Sequence, residues 1–269
     1  IAKKVGWTIA LFPSLVLYSA LILREAYIVF FIIVALYGVV SWLKTENIKS
    51  FIIAMIGFIG SIYFHGAMIV GAIIFLLILG KTSFKKILKS FLKFRIKLNI
   101  LVIFIVFITI SLLYLSNKIN VPYLGNFKNS TDIVNLQAKT KNATRGTASW
   151  PEWTKINSPI ELVYKAPVRS LYLVFAPFPW DVSHSRHLIG MFDAFLYMYL
   201  SFLILMNIKV IWKDPVLKTI LIILLSYLFV FGIGVGNFGT GIRHRSKFVV
   251  MFILLAGPLL RKIKFFKNQ

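Results

Sequence analysis

Four groups of polar residues interrupt a strongly apolar chain: Arg24-Glu25, His65, the run from Asn117 to His187, and Arg243-His244-Arg245. Their types suit the handling of an anionic group. A guanidinium fork grips phosphate oxygens in pairs, a geometry lysine does not reproduce. Arg243 and Arg245 follow the glycine-rich stretch from Gly232 to Gly241, whose backbone N–H groups are expected to complete a phosphate cradle. Arg24, Arg145 and Arg169 extend the set of candidate anion-binding residues. Glu25, His65, Glu152 and His244 are candidates for general base or orienting group, a role that needs a substrate hydroxyl within about 3 Å. A plainer reading stands beside each: Arg24 snorkels to the headgroups with Glu25 neutralising it, His65 packs helices together, and Arg243 and Arg245 anchor the chain at the interface.

The polar run adds Trp150, Trp153, Phe175, Phe178 and Trp180, which suit stacking on sugar rings or seating at the membrane interface. Trp180, Asp181, His184 and Arg186 join the candidate substrate-binding residues. His184 and His187 lie three residues apart with Asp181 nearby and have the chemistry of metal ligands. Substrate binding or structure is the reading adopted for them, so no metal site is assigned. Asn129 and Asn142 each open a glycosylation tripeptide, a weak motif. The chain lacks a Walker loop, a dinucleotide fingerprint, HExxH and GxSxG, so soluble nucleotide chemistry drops out and no cofactor is expected. With no cysteine in 269 residues, disulfides and thiol nucleophiles are excluded.

The elements that must position these groups follow from composition. The chain is 59% hydrophobic, with 25 Phe and only 8 acidic residues. Such apolar runs specify a polytopic helical membrane protein. The net charge of +23 sits between apolar segments, so it reads as a topology signal and an attraction to anionic lipid, not as a nucleic-acid surface.

In order, the spans are Trp7–Leu23 (kinked at Pro13), Ala26–Leu43, two short arms within Phe51–Gly80, Leu98–Leu115, Leu188–Ile208, Leu217–Val235 and Phe248–Leu260. As one helix, Phe51–Gly80 would run roughly 45 Å, too long for a core of about 30 Å. A turn near His65-Gly66 also keeps the basic clusters on one side. Lys81–Lys97 spaces Phe84, Ile87, Leu88 and Phe91 helically among lysines and reads as an amphipathic surface helix.

The expected fold is therefore an all-α polytopic membrane protein of about eight segments, some short or re-entrant, with one long extracytoplasmic loop and both ends cytoplasmic. Its expected parts are a first bundle (1–116), a folded cap (117–187) and a second bundle with a basic tail (188–269). No signal-peptide pattern opens the chain, and further helices are expected before it in a longer protein.

The run Pro13-Ser14…Arg24-Glu25 resembles bacterial O-antigen repeat-unit polymerases of the Wzy type, in which a Pro-Ser segment leads to an Arg-Glu or Lys-Glu pair at the next helix start. Thr144-Arg145-Gly146 and Ala176-Pro-Phe-Pro-Trp-Asp181 look like loop elements of related polymerase-like membrane proteins. That family has around a dozen helices, more than this chain shows. The resemblance implies an inner-membrane enzyme that polymerises undecaprenyl-diphosphate-linked oligosaccharide units at the outer face, with a chain-length regulator as a protein partner. Two other classes fit the same face: a multi-helix glycosyltransferase using a lipid-phosphosugar, and a transporter or flippase.

Overall fold

The computed structural model describes residues 2–21, 23–91, 148–182 and 185–260, with a few positions between 105 and 118. The regular secondary structure among the described residues is helical, with one isolated bridge between Ser149 and Asn237. Thr144-Arg145-Gly146, His184, both glycosylation tripeptides and most of the expected span 98–115 lie outside them.

Among the described residues, two helices are long and apolar enough to cross a membrane: α3 (Arg24–Thr45) and the later α9 (Pro215–Gly234). The chain divides into two compact units, one of residues 1–30 and 137–269, the other of 31–136. This division cuts within α3 and differs from the three-part layout expected from composition.

The 31–136 unit holds most of α3 with α4 (Ile48–Phe64) and α5 (Ile69–Phe91). Asn47 caps α4 by accepting from Lys49 N. At His65 the backbone turns extended, and a 3-10 turn over Gly66–Met68 leads into α5. Phe75 of α5 returns against both Phe51 and Phe58 of α4, so the pair is an antiparallel hairpin broken where the sequence places the break. Added Cβ atoms at Gly38 and Gly57 would collide with the backbones of Ala54 and Ala35. That close approach of α3 to α4 is how small residues join helices in lipid. The separate amphipathic helix expected from Lys81 is not formed; α5 continues through it to Phe91.

The other unit begins with α1 (Ala2–Ala10) and α2 (Pro13–Ala20), separated at Pro13, which occupies the first position of α2 where its missing N–H costs no bond. It continues with α6 (Pro159–Phe175), α7 (Ser185–Met206), α8 (Ile208–Lys213), α9, α10 (Phe238–Arg245) and α11 (Val249–Leu260). The stretch 117–187, expected as a folded cap, contains α6, a helix of 17 residues. Its buried face, Ala166, Arg169 and Leu173, packs along α9. Contact is closest at Gly232, where a Cβ would meet the Ser170 backbone at 2.8 Å. α11 is apolar all round and almost wholly buried, as a helix surrounded by α1, α7 and α9 must be.

Candidate functional site

Glu25 gathers the site. It stands in the first turn of α3, where the exposed N–H dipoles favour a carboxylate, and it is buried to 1% exposure. Its Oε1 accepts from Arg243 Nε at 2.7 Å and lies 3.6 Å from Arg24 Nε and 3.9 Å from Lys247 Nζ. Its Oε2 is buried without a hydrogen-bond partner. Lys247, fully buried, shares a 2.6 Å hydrogen bond with Nδ1 of His244 and sits 5.2 Å above the Phe231 ring. Three cations thus face one carboxylate. Two of them, Arg24 and Arg243, keep side-chain exposures of 44% and 36%.

Besides its neighbour Arg24, the partners of Glu25 come from α10 and the 3-10 turn that follows it. Asn237 caps α10 by accepting from Gly239 N at 2.9 Å and Thr240 N at 3.4 Å. Arg243, His244 and Arg245 fill its last turn, where the C-terminal dipole favours cations. The glycine-rich stretch does not form the expected phosphate cradle. Phe238 N donates to Ala148 O, Gly241 N to Asn237 O and Val235 N to Phe231 O; with the two N–H groups on Asn237, these donors are already committed.

Arg245 is corrected too. Two residues along a helix turn a side chain through about 200°, so Arg245 points away from Arg243 and into the protein. It is fully buried over the Tyr197 ring. Nε and Nη2 meet Asp193 Oδ2 at 2.9 Å, Nη1 donates to Val174 O and Ala176 O, and Nη2 also donates to Gly190 O. The fork has no donor left for a phosphate. Instead it joins the end of α6 to the start of α7, and the Tyr197 hydroxyl closes the set by donating to Arg245 O at 3.1 Å.

Arg169 is spent in the same way. Nε donates to Gly232 O, Nη1 to Thr154 O, and Nη2 to Ile233 O and Val235 O. The side chain lies fully buried beneath Trp150 and caps the last carbonyls of α9. Its place is structural, not in a diphosphate grip.

The other candidates have other partners. His65 belongs to the 31–136 unit, at the end of α4. Glu152 is exposed and paired with Lys155, which holds its carboxyl below the usual range. Asp181 closes the 3-10 turn Pro179–Asp181 by accepting from Phe178 N at 3.1 Å, and burial pushes its carboxyl up. Trp180 stacks on Phe178 at 4.9 Å and is exposed. With Tyr172 and Trp153 it makes an aromatic rim, whereas Trp150 is buried. Arg186 lies in the first turn of α7. Among the described residues, no three metal-ligating side chains come together.

No motif in the sequence marks Asp193 or Lys247. Asp193 had a signal, being the single acid in the apolar run 188–208, where an ionisable group marks a partner or a function. Comparison with family models, with curated proteins and with solved structures finds no match.

Proposed function

We propose that this chain is a membrane enzyme that joins lipid-diphosphate-linked oligosaccharide units into a surface polysaccharide, acting at the outer face of a bacterial inner membrane. In this reading it crosses the bilayer in about eight segments, with both ends cytoplasmic. The carrying observation is the meeting of Arg24 and Arg243 on Glu25, across 218 residues of chain. Their surplus positive charge, half exposed beside a carboxylate that fixes their geometry, suits a polyanion such as a diphosphate.

In the reaction, an acceptor hydroxyl oxygen attacks the anomeric carbon and the bond from that carbon to the diphosphate oxygen breaks. The diphosphate leaves with the electron pair, held by Arg24 and Arg243. The hydroxyl proton leaves to water at the open side of the cluster, while Glu25, buried and held by Arg243, keeps the guanidiniums in place. The rim of Trp180, Phe178 and Trp153 offers ring faces for sugar.

One observation favours a second reading, a carrier of such lipids. Glu25, Asp193, Arg245 and Lys247 are all buried, as ionisable groups along a transport path are. Purified protein supplied with lipid-diphosphate oligosaccharide separates the readings. A polymerase yields a ladder of products, a single-addition transferase one new bond, and a carrier none. In cells dependent on this chain, Arg243→Ala and Arg24→Ala should leave single-unit glycan in place of long chains. Long chains from a well-expressed double variant would refute the assignment.

A further inference from the structure

A second feature lies in the same unit and plays no part in the proposed reaction. Helices α6, α7, α8 and α9 enclose a groove of about 640 Å³, within the range of sites that take a small molecule. Leu171, Phe175, Leu205, Leu225 and Phe229 line it, with Trp212 of α8. No charged side chain faces it. Of its two hydroxyls, Ser170 is already bonded to Ala166 O and Leu228 O. Such a lining recognises hydrocarbon and little else.

The Trp212 side of the groove is basic. Lys218 Nζ sits 4.4 Å above the Trp212 ring, and Lys209 and Lys213 are exposed on α8. The nearby acid, Asp214, is engaged in capping α9, accepting from Val216 N and Leu217 N. An apolar slot that ends at an indole topped by one lysine, with two more lysines exposed on the same short helix, has the charge pattern of a lipid with an anionic head. It is also separate from the Glu25 cluster. Lys218 is in the first turn of α9, which runs 20 residues to Gly234, and α10 follows its other end, roughly 24 Å along the helix from Lys218.

We propose that this groove holds one acyl chain of an anionic phospholipid whose headgroup phosphate meets Lys209, Lys213 and Lys218. The site is independent of the glycan chemistry and stands or falls without it.

The test is lipid retention by the full purified chain, read by native mass spectrometry with phosphatidylglycerol, phosphatidylcholine or glycerol 3-phosphate added. Each surface lysine beside an anionic headgroup contributes about fivefold, so phosphatidylglycerol should be retained at least about tenfold better than phosphatidylcholine. Glycerol 3-phosphate, lacking a chain, should not be retained. The K209Q/K213Q/K218Q variant should lose the preference while still binding phosphatidylcholine. Ser201→Phe and Leu225→Trp, which narrow the groove from two helices, should each weaken both lipids. The proposal is overturned by equal retention of the two lipids in the wild type, by an undiminished preference in the lysine variant, or by full retention in both narrowed variants. The lysine variant alters side chains at the protein surface, so it decides the matter even where a narrowed groove misfolds.

Discussion

Arg243 and Arg245 stand two residues apart on one short helix and do opposite things. Arg245 points inward, is fully buried, and spends its whole fork on Asp193 and three carbonyls. Arg243 points the other way, stays half exposed, and holds one carboxylate oxygen through a single Nε–H. The difference teaches that a guanidinium's meaning lies in how many of its donors are already satisfied. A saturated fork in a low-dielectric interior is a joint between helices. An unsaturated fork at a partly open position, with further cations beside it, is available to a ligand.

The comparison breaks most easily at Arg245. Arg245→Met should destabilise the protein by about 3–5 kcal/mol, because it strands Asp193 and three carbonyls in the interior. Arg245→Lys should recover little, since one ammonium cannot span the same acceptors. Thermal unfolding in detergent checks both. A variant as stable as wild type would mean that these contacts are replaceable and the contrast with Arg243 empty.

Arg169→Gln ranks next. It uncaps the end of α9, with an expected loss of about 3 kcal/mol by the same measurement. Gly232→Ala follows at about 1–3 kcal/mol, from the contact its Cβ would make with the Ser170 backbone.

Much of this was legible in the sequence and some was not, for physical reasons. The α4–α5 hairpin could be read because a stretch too long for one span and too short for two full ones must break, and His65-Gly66 is its polar point. The approach of Arg24-Glu25 to Arg243-His244 followed from placing polar pairs at the ends of apolar runs. Which of Arg243 and Arg245 faces outward could not be read. That depends on helical register, and Phe238-Gly-Thr-Gly looks like a turn although Asn237 caps a helix there. α6 was hidden by its own composition, since Pro159, Pro167, Lys165 and Arg169 imitate a loop. Yet Pro159 is a helix-starting proline with Glu161 in the first turn, and Arg169 is polar only because it serves carbonyls in the interior.

Arg243 gives the sharper half of the contrast. Arg243→Gln should cost about 1.5–3 kcal/mol of stability, because the buried Glu25 carboxylate loses its charged hydrogen-bond donor, while activity on lipid-linked glycan collapses. A double-mutant cycle with Glu25→Gln should show that the two residues are coupled. If Arg243→Gln destabilised as much as Arg245→Met, the pair on Glu25 would be another structural joint.

Glu152 supplies the smallest expected effect. Its carboxylate is 89% exposed and paired only across one surface turn with Lys155. Because Lys155 holds the folded carboxyl below its usual range, the pair favours the fold above the unfolded value and ceases to do so as pH falls through the folded one. Water screens such a pair so well that Glu152→Gln should leave the melting temperature and the acid limb of a stability–pH curve unchanged within error. Glycan chain length should also be unchanged, since Glu152 is not among the groups that meet on Glu25. A loss of long chains in Glu152→Gln at full stability would instead place a proton acceptor on the aromatic rim.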